Sequence, residues 1–236
     1  MSASFYQIRQ CQNPSCGLRF PLVEGQSQHA RCPRCLEETV KIAEYPIEHE
    51  PVKPADAASQ PGPVVLLDNI RSAWNVGAIF RSADGFGFSG LHLCGITPSP
   101  ENEAVKKTSL GAENTLPWQV HPNALLVARE LLQSGYTLFA LELTEDALPL
   151  PMIGRLPHPE KIALVLGSEV CGVDPEILSL CQHKLYIPMR GQKRSFNVAV
   201  AFAVAAYELT RTQNQHPIHP AGAGKAGKRN RNEEIG

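Results

Sequence analysis

Four of the seven cysteines fall within the first 35 residues, as Cys11-x4-Cys16 and Cys32-x2-Cys35 with fifteen residues between the pairs. Each close pair fits a tight knuckle that offers two thiolates to one side. Two knuckles complete the tetrahedral sulfur shell that zinc prefers. Pro14, Gly17 and Pro33 suit the turns. Four thiolates leave no open position for water, so the zinc implied by Cys11, Cys16, Cys32 and Cys35 is structural. Its binding energy, roughly 10–16 kcal/mol in small zinc modules, would fold a ribbon too small to fold alone. The alternative, four unrelated buried cysteines, is disfavoured by the clustering. Cys94, Cys171 and Cys181 lie apart and read as small buried hydrophobes.

Three further segments place polar side chains where an apolar framework does not need them. In NVGAIFRSA (75–83), Asn75 opens an apolar helix and Arg81 appears among Ile79, Phe80 and Ala83. A partly buried arginine needs an anion or acceptors, unless it snorkels and Asn75 merely caps the helix. In LGSEVCGV (166–173), a buried strand runs into a glycine turn presenting Glu169, which is otherwise a helix-capping acid. In IPMRGQKRSFNV (187–198), a strand ends, a basic loop follows, and Ser195 and Asn197 open a helix, where a serine N-cap is the plain alternative.

These segments belong to an alternation of short apolar runs and helical stretches. Residues 64–68, 91–94, 136–141, 162–167 and 184–187 read as strands, and 75–86, 124–132 and 196–209 as helices. The pattern predicts an α/β domain with a mostly parallel sheet and a ligand site at the carboxyl ends of its strands. The last helix is apolar on nearly every face, which predicts enclosure in a deep core or a subunit interface. GFGFSG (85–90) matches GxGxxG literally, but it closes a helix and leads into a strand. The dinucleotide fingerprint demands the reverse, so the run is a helix stop and a nicotinamide-dependent enzyme is disfavoured.

The expected organisation is a zinc ribbon at 1–49, a Pro- and Ala-rich linker at 50–63, the α/β domain at 64–210 and a disordered basic tail at 211–236. Lys and Arg number 22 against 23 Asp and Glu in 236 residues, so binding to nucleic acid cannot rest on net charge. No apolar run reaches the ~18 residues of a membrane span, and the start lacks a signal peptide's apolar stretch. The expectation is a soluble, intracellular, cytoplasmic protein without a membrane partner, whose cysteines stay reduced.

In this order, NxGxxxRSA, LGSExxG and IPM…SxNVAVA resemble the three motifs of the SpoU/TrmH family of RNA ribose 2'-O-methyltransferases, within the SPOUT superfamily. The resemblance covers about 64–210. It implies a trefoil-knotted α/β domain that binds S-adenosylmethionine in the knot, works as a homodimer and acts on tRNA or rRNA. Carried over, the catalytic positions are Asn75, Arg81, Glu169, Ser195 and Asn197. Gly167, Ile187 and Phe196 would contact the cofactor through the backbone, with Met189 nearby. Phe196 is commonly leucine in the family, which leaves a main-chain contact intact.

Under that resemblance the ribose 2'-hydroxyl must be aligned with the sulfonium methyl and lose its proton as the bond forms. The resemblance assigns activation of that hydroxyl to Arg81, but a guanidinium holds its proton to pH ~12 or beyond, so Arg81 either draws off the proton or clamps the target phosphate and lowers the hydroxyl's pKa by its charge. Asn75 and Asn197 would orient it, Glu169 would fix it, and Ser195 would hold the nucleotide. Arg71, Lys106, Lys107, Arg190, Lys193 and Arg194 are further phosphate contacts that position RNA without specifying it. The competing function on the same fold is a zinc-ribbon RNA-binding protein without turnover, against which every polar motif position is occupied.

Overall fold

The computed structural model describes residues 5–23, 31–47, 62–154, 156 and 158–211. The chain divides into two compact units, Met1–Pro54 and Ala55–Gly236. Of the expected linker, 50–61 lie outside the described residues, as do 212–236 of the expected tail.

The first unit is a three-stranded antiparallel sheet of β1 (Phe5–Cys11), β2 (Arg19–Val23) and β3 (Thr39–Pro46), with β1 in the middle. Tyr6 and Tyr45 stack across neighbouring strands, with ring centroids 5.5 Å apart. Among its described residues the only buried hydrophobics are Cys11 and Cys32, while Leu36, Val40, Ile42 and Tyr45 are exposed. The described part of this sheet buries too little apolar surface to offset its chain entropy by packing alone.

The second unit is built on seven parallel strands: β4 (Val64–Asp68), β5 (Gly90–Cys94), β6 (Trp118–His121), β7 (Thr137–Leu141), β8 (Leu148–Pro149), β9 (Ile162–Leu166) and β10 (His183–Tyr186), in the order β6-β5-β4-β9-β7-β10-β8. β4 shows why both faces are covered. Val65 and Leu67 pack into one core with Ile79, Phe80 and Phe202, and Val64 and Leu66 into another with Val127, Leu131 and Ile177. Helices α1 (Ala73–Gly85) and α6 (Val198–Thr210) cover the first face. Helices α4 (Ala124–Gln133) and α5 (Pro175–Leu180) cover the second. Gly77 lets α1 lie against α2 (Glu103–Ser109), because a Cβ there would run into Thr108 and the Val105 carbonyl.

The five expected strands and three expected helices are all present, and residues 85–90 are the helix stop and turn that their context indicated, with Gly87 at φ +75. Two boundaries shift for one reason. Ser72, not Asn75, caps α1, and Asn197 caps α6, whose helix therefore begins at Val198 and not at 196. In this unit the strands and α-helices not foreseen are β6, β8, α2, α3 (Ala112–Thr115) and α5, none longer than seven residues and so too short to show a period. Cys94 and Cys181 are buried as expected, whereas Cys171 is exposed on the turn after β9.

Candidate active site and metal centre

In the first unit the two knuckles bring four sulfurs together. Cys11 and Cys35 Sγ lie 3.4 Å apart, Cys16 and Cys32 Sγ 3.7 Å, and all four within 4.8 Å of one another. Sulfurs at ~2.3 Å from a tetrahedral zinc would sit ~3.8 Å apart, so the donor set fits that ion. The first knuckle is closed by the amides of Cys16 and Gly17 on the Asn13 carbonyl, with Gly17 at φ +55. In the second, Leu36 donates to the Cys32 carbonyl and takes the left-handed position at φ +63. Burial opposes ionisation of Cys32, but the backbone amides of Cys35 and Arg34 outweigh it and bring the thiol down to about 7. Burial pushes the neighbouring Cys11 up to about 12, and Cys35 is raised as well, so of these three thiols Cys32 is the one favoured as the thiolate.

In the second unit, β4 and β9 lie side by side and the loops that follow them meet. Glu169, on the loop after β9, accepts the Arg71 amide at 2.9 Å, the Ser72 amide at 3.2 Å and Asn75 Nδ2 at 3.0 Å. Burial raises its pKa, but these donors, the Arg71 amide foremost, hold the carboxyl below the usual carboxylate range. Asn75 Oδ1 in turn accepts from Asn197 Nδ2 at 2.9 Å, while Asn197 Oδ1 accepts the Ala199 amide at the start of α6. One hydrogen-bonded chain, Glu169–Asn75–Asn197, therefore joins the three motif segments across 94 and 122 residues of sequence.

Within the single chain these three residues bond to one another. None of them touches Arg81. It is exposed rather than partly buried, and among the described residues it has no hydrogen bond or ion pair. The reason is helical: six residues at ~100° each place Arg81 about 240° around α1 from Asn75, off the face that buries Val76, Ile79, Phe80 and Ala83. The hydrogen bonds of Glu169, Asn75 and Asn197 tie the loop after β9 to the starts of α1 and α6.

At the carboxyl ends of β7, β9 and β10 lies a cavity of about 960 Å³. Gly167, Ile187, Met189 and Phe196 all line it, together with Glu169, Ser195 and Asn197, and with Lys193 and Arg194 from the basic loop. Arg81 and Asn75 do not. Gly167 is required there, since a Cβ would strike the backbone of Gly172 and Val173 where the turn folds back. Two carboxylates were not anticipated. Asp68 is buried at the end of β4 and accepts Asn69 Nδ2 at 2.8 Å and the Asp174 amide at 3.0 Å, tying down the far end of the turn. Glu142, just past β7, lines the cavity. Its only sequence signal is an acid at the carboxyl end of a buried strand.

A cavity at strand ends framed by the second and third motif segments, with the first bonded to both, is the expected place for a cofactor site, and residues 62–207 match the model of the SpoU rRNA Methylase family. The chain belongs to this family. It is 33% identical over 152 residues to the tRNA (guanosine(18)-2'-O)-methyltransferase of Thermus thermophilus, covering 64% of this chain and 76% of that one. To the 23S rRNA (guanosine(2553)-2'-O)-methyltransferase RlmP of Bacillus subtilis it is 31% identical over 146 residues, covering 62% of this chain and 57% of that protein's length. Among solved structures, the SpoU methyltransferase AviRb of Streptomyces viridochromogenes in complex with the cofactor AdoMet superposes with a TM-score of 0.57. It is 25% identical, over 75% of this chain and 66% of that one. The family match lies wholly within the second unit and leaves the cysteine cluster outside it. No helix among the described residues is long and apolar enough to cross a membrane.

Proposed function

We propose that this chain transfers the methyl group of S-adenosylmethionine to a ribose 2'-hydroxyl of tRNA or rRNA. The observation that carries the reading is the cavity itself, where residues from the second and third motif segments meet and the first is bonded to both. Its mixed lining suits the cofactor: apolar Ile187, Met189 and Phe196 for an adenine, backbone at Gly167 and Ile187 for its polar edge, and a mouth with Lys193, Arg194 and Ser195 for a nucleotide. The trefoil knot belongs to this reading, since the segments it would interlace, 166–173 and 187–198, frame the cavity. When bound, the cofactor supplies an electrophilic sulfonium methyl.

The chain's own residues then have separable tasks. Gly167, Ile187, Met189 and Phe196 hold the cofactor. Asn75, Glu169 and Asn197 fix the loops that shape its pocket, and Ser195 holds the target nucleotide. Arg81 supplies positive charge to the 2'-hydroxyl or its neighbouring phosphate, lowering the cost of proton loss to water without itself acting as base.

For Arg81 to reach a ribose, the site has to be completed by a second copy, and a homodimer is part of the proposal. An apolar groove of about 590 Å³ runs between α1 and α6, lined by Ala78, Val200, Ala203, Val204 and Tyr207. Val200, Val204 and Tyr207 are 48%, 41% and 59% exposed, so this helix is not enclosed on all sides within one chain. Val204→Asp changes a side chain that the single chain leaves open, so it should preserve the fold and give a 25.7 kDa monomer without methyl transfer. Native mass measurement and circular dichroism check this. A variant that stays dimeric and active excludes the groove as the interface.

The structural zinc at Cys11, Cys16, Cys32 and Cys35 and a cytoplasmic location complete the reading. A turnover-free RNA-binding role is separated from it by one comparison. Mapping 2'-O-methylated nucleotides in total RNA from cells with and without the protein should reveal a site that depends on it. No dependent site, with RNA binding intact, would decide for the binder.

A further inference from the structure

Glu142 is the carboxylate in the cavity that the motif chemistry leaves without a task. It sits immediately after β7, the strand between β9 and β10, and the loops after both neighbours line the same cavity. Its Oε2 accepts the Val173 amide at 3.2 Å and its Oε1 the Leu143 amide at 3.3 Å. Gly172 lies so close that a Cβ there would come within 2.6 Å of Oε2, and Gly172 takes φ +74.

The other carboxylate of the lining, Glu169, is spent on three donors at the start of α1. Glu142 has one long amide bond per oxygen. An ionised carboxylate can accept about four hydrogen bonds, so each oxygen keeps acceptor capacity on the cavity side. It has no ion pair among the described residues.

We propose that Glu142 is a specificity-determining residue for the cofactor, accepting hydrogen bonds from the two hydroxyls of its ribose. The inference rests on the S-adenosylmethionine reading above. The geometry favours a diol because both oxygens of one carboxylate, held apart and oriented by separate backbone amides, match two adjacent hydroxyl donors. It also gives Gly172 a second purpose: besides its left-handed turn, the missing side chain leaves room for the carboxylate to face the cavity.

The test is calorimetric and needs no turnover. Wild type, Glu142→Ala and Glu142→Gln are titrated with S-adenosylhomocysteine, with 5'-methylthioadenosine, which lacks the amino-acid portion, and with its 2',3'-dideoxy analogue. Wild type should bind methylthioadenosine roughly 10- to 100-fold more tightly than the dideoxy analogue, the range expected for hydrogen bonds to a charged acceptor. Glu142→Ala should lose that preference and bind both alike, and Glu142→Gln should keep part of it. Three other outcomes overturn the proposal. If Glu142→Ala weakens both nucleosides equally, Glu142 only shapes the turn. If it weakens S-adenosylhomocysteine but not methylthioadenosine, the carboxylate meets the ammonium group. If it changes nothing, Glu142 is a bystander. Failure of wild type to bind any of the three is a different result, overturning the cofactor reading itself.

Discussion

Replacing Arg81 with alanine is expected to lower methyl transfer to RNA by ~10²- to 10³-fold, the range for removing one group that stabilises developing charge, while S-adenosylmethionine affinity stays nearly unchanged. The structure makes the separation sharp. Arg81 is exposed on α1, contributes nothing to the lining of the cofactor cavity, and makes no hydrogen bond or ion pair among the described residues. Its truncation therefore removes an exposed side chain and leaves no hydrogen-bond partner unsatisfied among the described residues, so the fold should be intact. A loss confined to turnover means lost transition-state stabilisation and not lost ground-state binding. Arg81→Lys then distinguishes a point charge from a planar fork: recovery of most of the rate shows that charge suffices, and continued inactivity shows that guanidinium geometry is needed. Because the residue is proposed to act across the dimer, mixing Arg81→Ala with a variant disabled in its own cofactor pocket should restore about one working site per mixed dimer. Equal methylation by wild type and Arg81→Ala removes this residue from the site.

Stripping zinc is expected to have the larger effect on structure and almost none on cofactor binding. The ~10–16 kcal/mol of a structural zinc equals or exceeds the whole stability of an ordinary domain, ~5–15 kcal/mol. The unit Met1–Pro54 buries only two cysteines among its described hydrophobics, so little among the described residues could replace a metal there. Chelation, or Cys32→Ser, should abolish the amide dispersion of β1 to β3 in NMR spectra while titration of S-adenosylhomocysteine is unchanged. The absence of zinc by metal analysis, or loss of cofactor binding on chelation, overturns the assignment of a separate metal-stabilised unit. A second consequence concerns the thiols. Burial pushes Cys11 up to about 12, so the metal has to displace protons from the cluster, and zinc affinity measured by chelator competition should fall as the pH is lowered.

The amino-acid sequence alone determined the cysteine cluster and the class of the larger unit. Cysteine spacing is a local property, and two pairs on tight turns leave little choice of partner for the metal. The strands from Val64 and Ile162 were equally plain. In a parallel sheet covered on both faces they are runs of apolar side chains, VVLLD and IALVL, which no surface element would tolerate. The three polar segments stood out because their side chains broke an apolar pattern, and Gly167, Ile187, Met189 and Phe196 do line one cavity.

Tertiary structure decided which of those polar residues meet. From the sequence, Asn75, Glu169 and Asn197 were orienters of Arg81. In space they bond to one another, because the loop after β9 is delivered to the start of α1 by the pairing of β4 with β9, ninety-four residues apart at the Asn75–Glu169 contact. Arg81 was expected among apolar neighbours, yet sequence adjacency to Ile79 and Phe80 is not spatial adjacency on a helix with 3.6 residues per turn. The same geometry left Val200, Val204 and Tyr207 open on a helix whose sequence asked for complete enclosure. Glu142 and Asp68 carried no motif at all. A single acid at a strand end acquires meaning only when the fold closes a loop over it, as the turn at Gly172 does for Glu142 and the start of α5 does for Asp68. Local pattern thus fixed which residues are polar against an apolar background, and the long-range pairing of parallel strands fixed which of them meet.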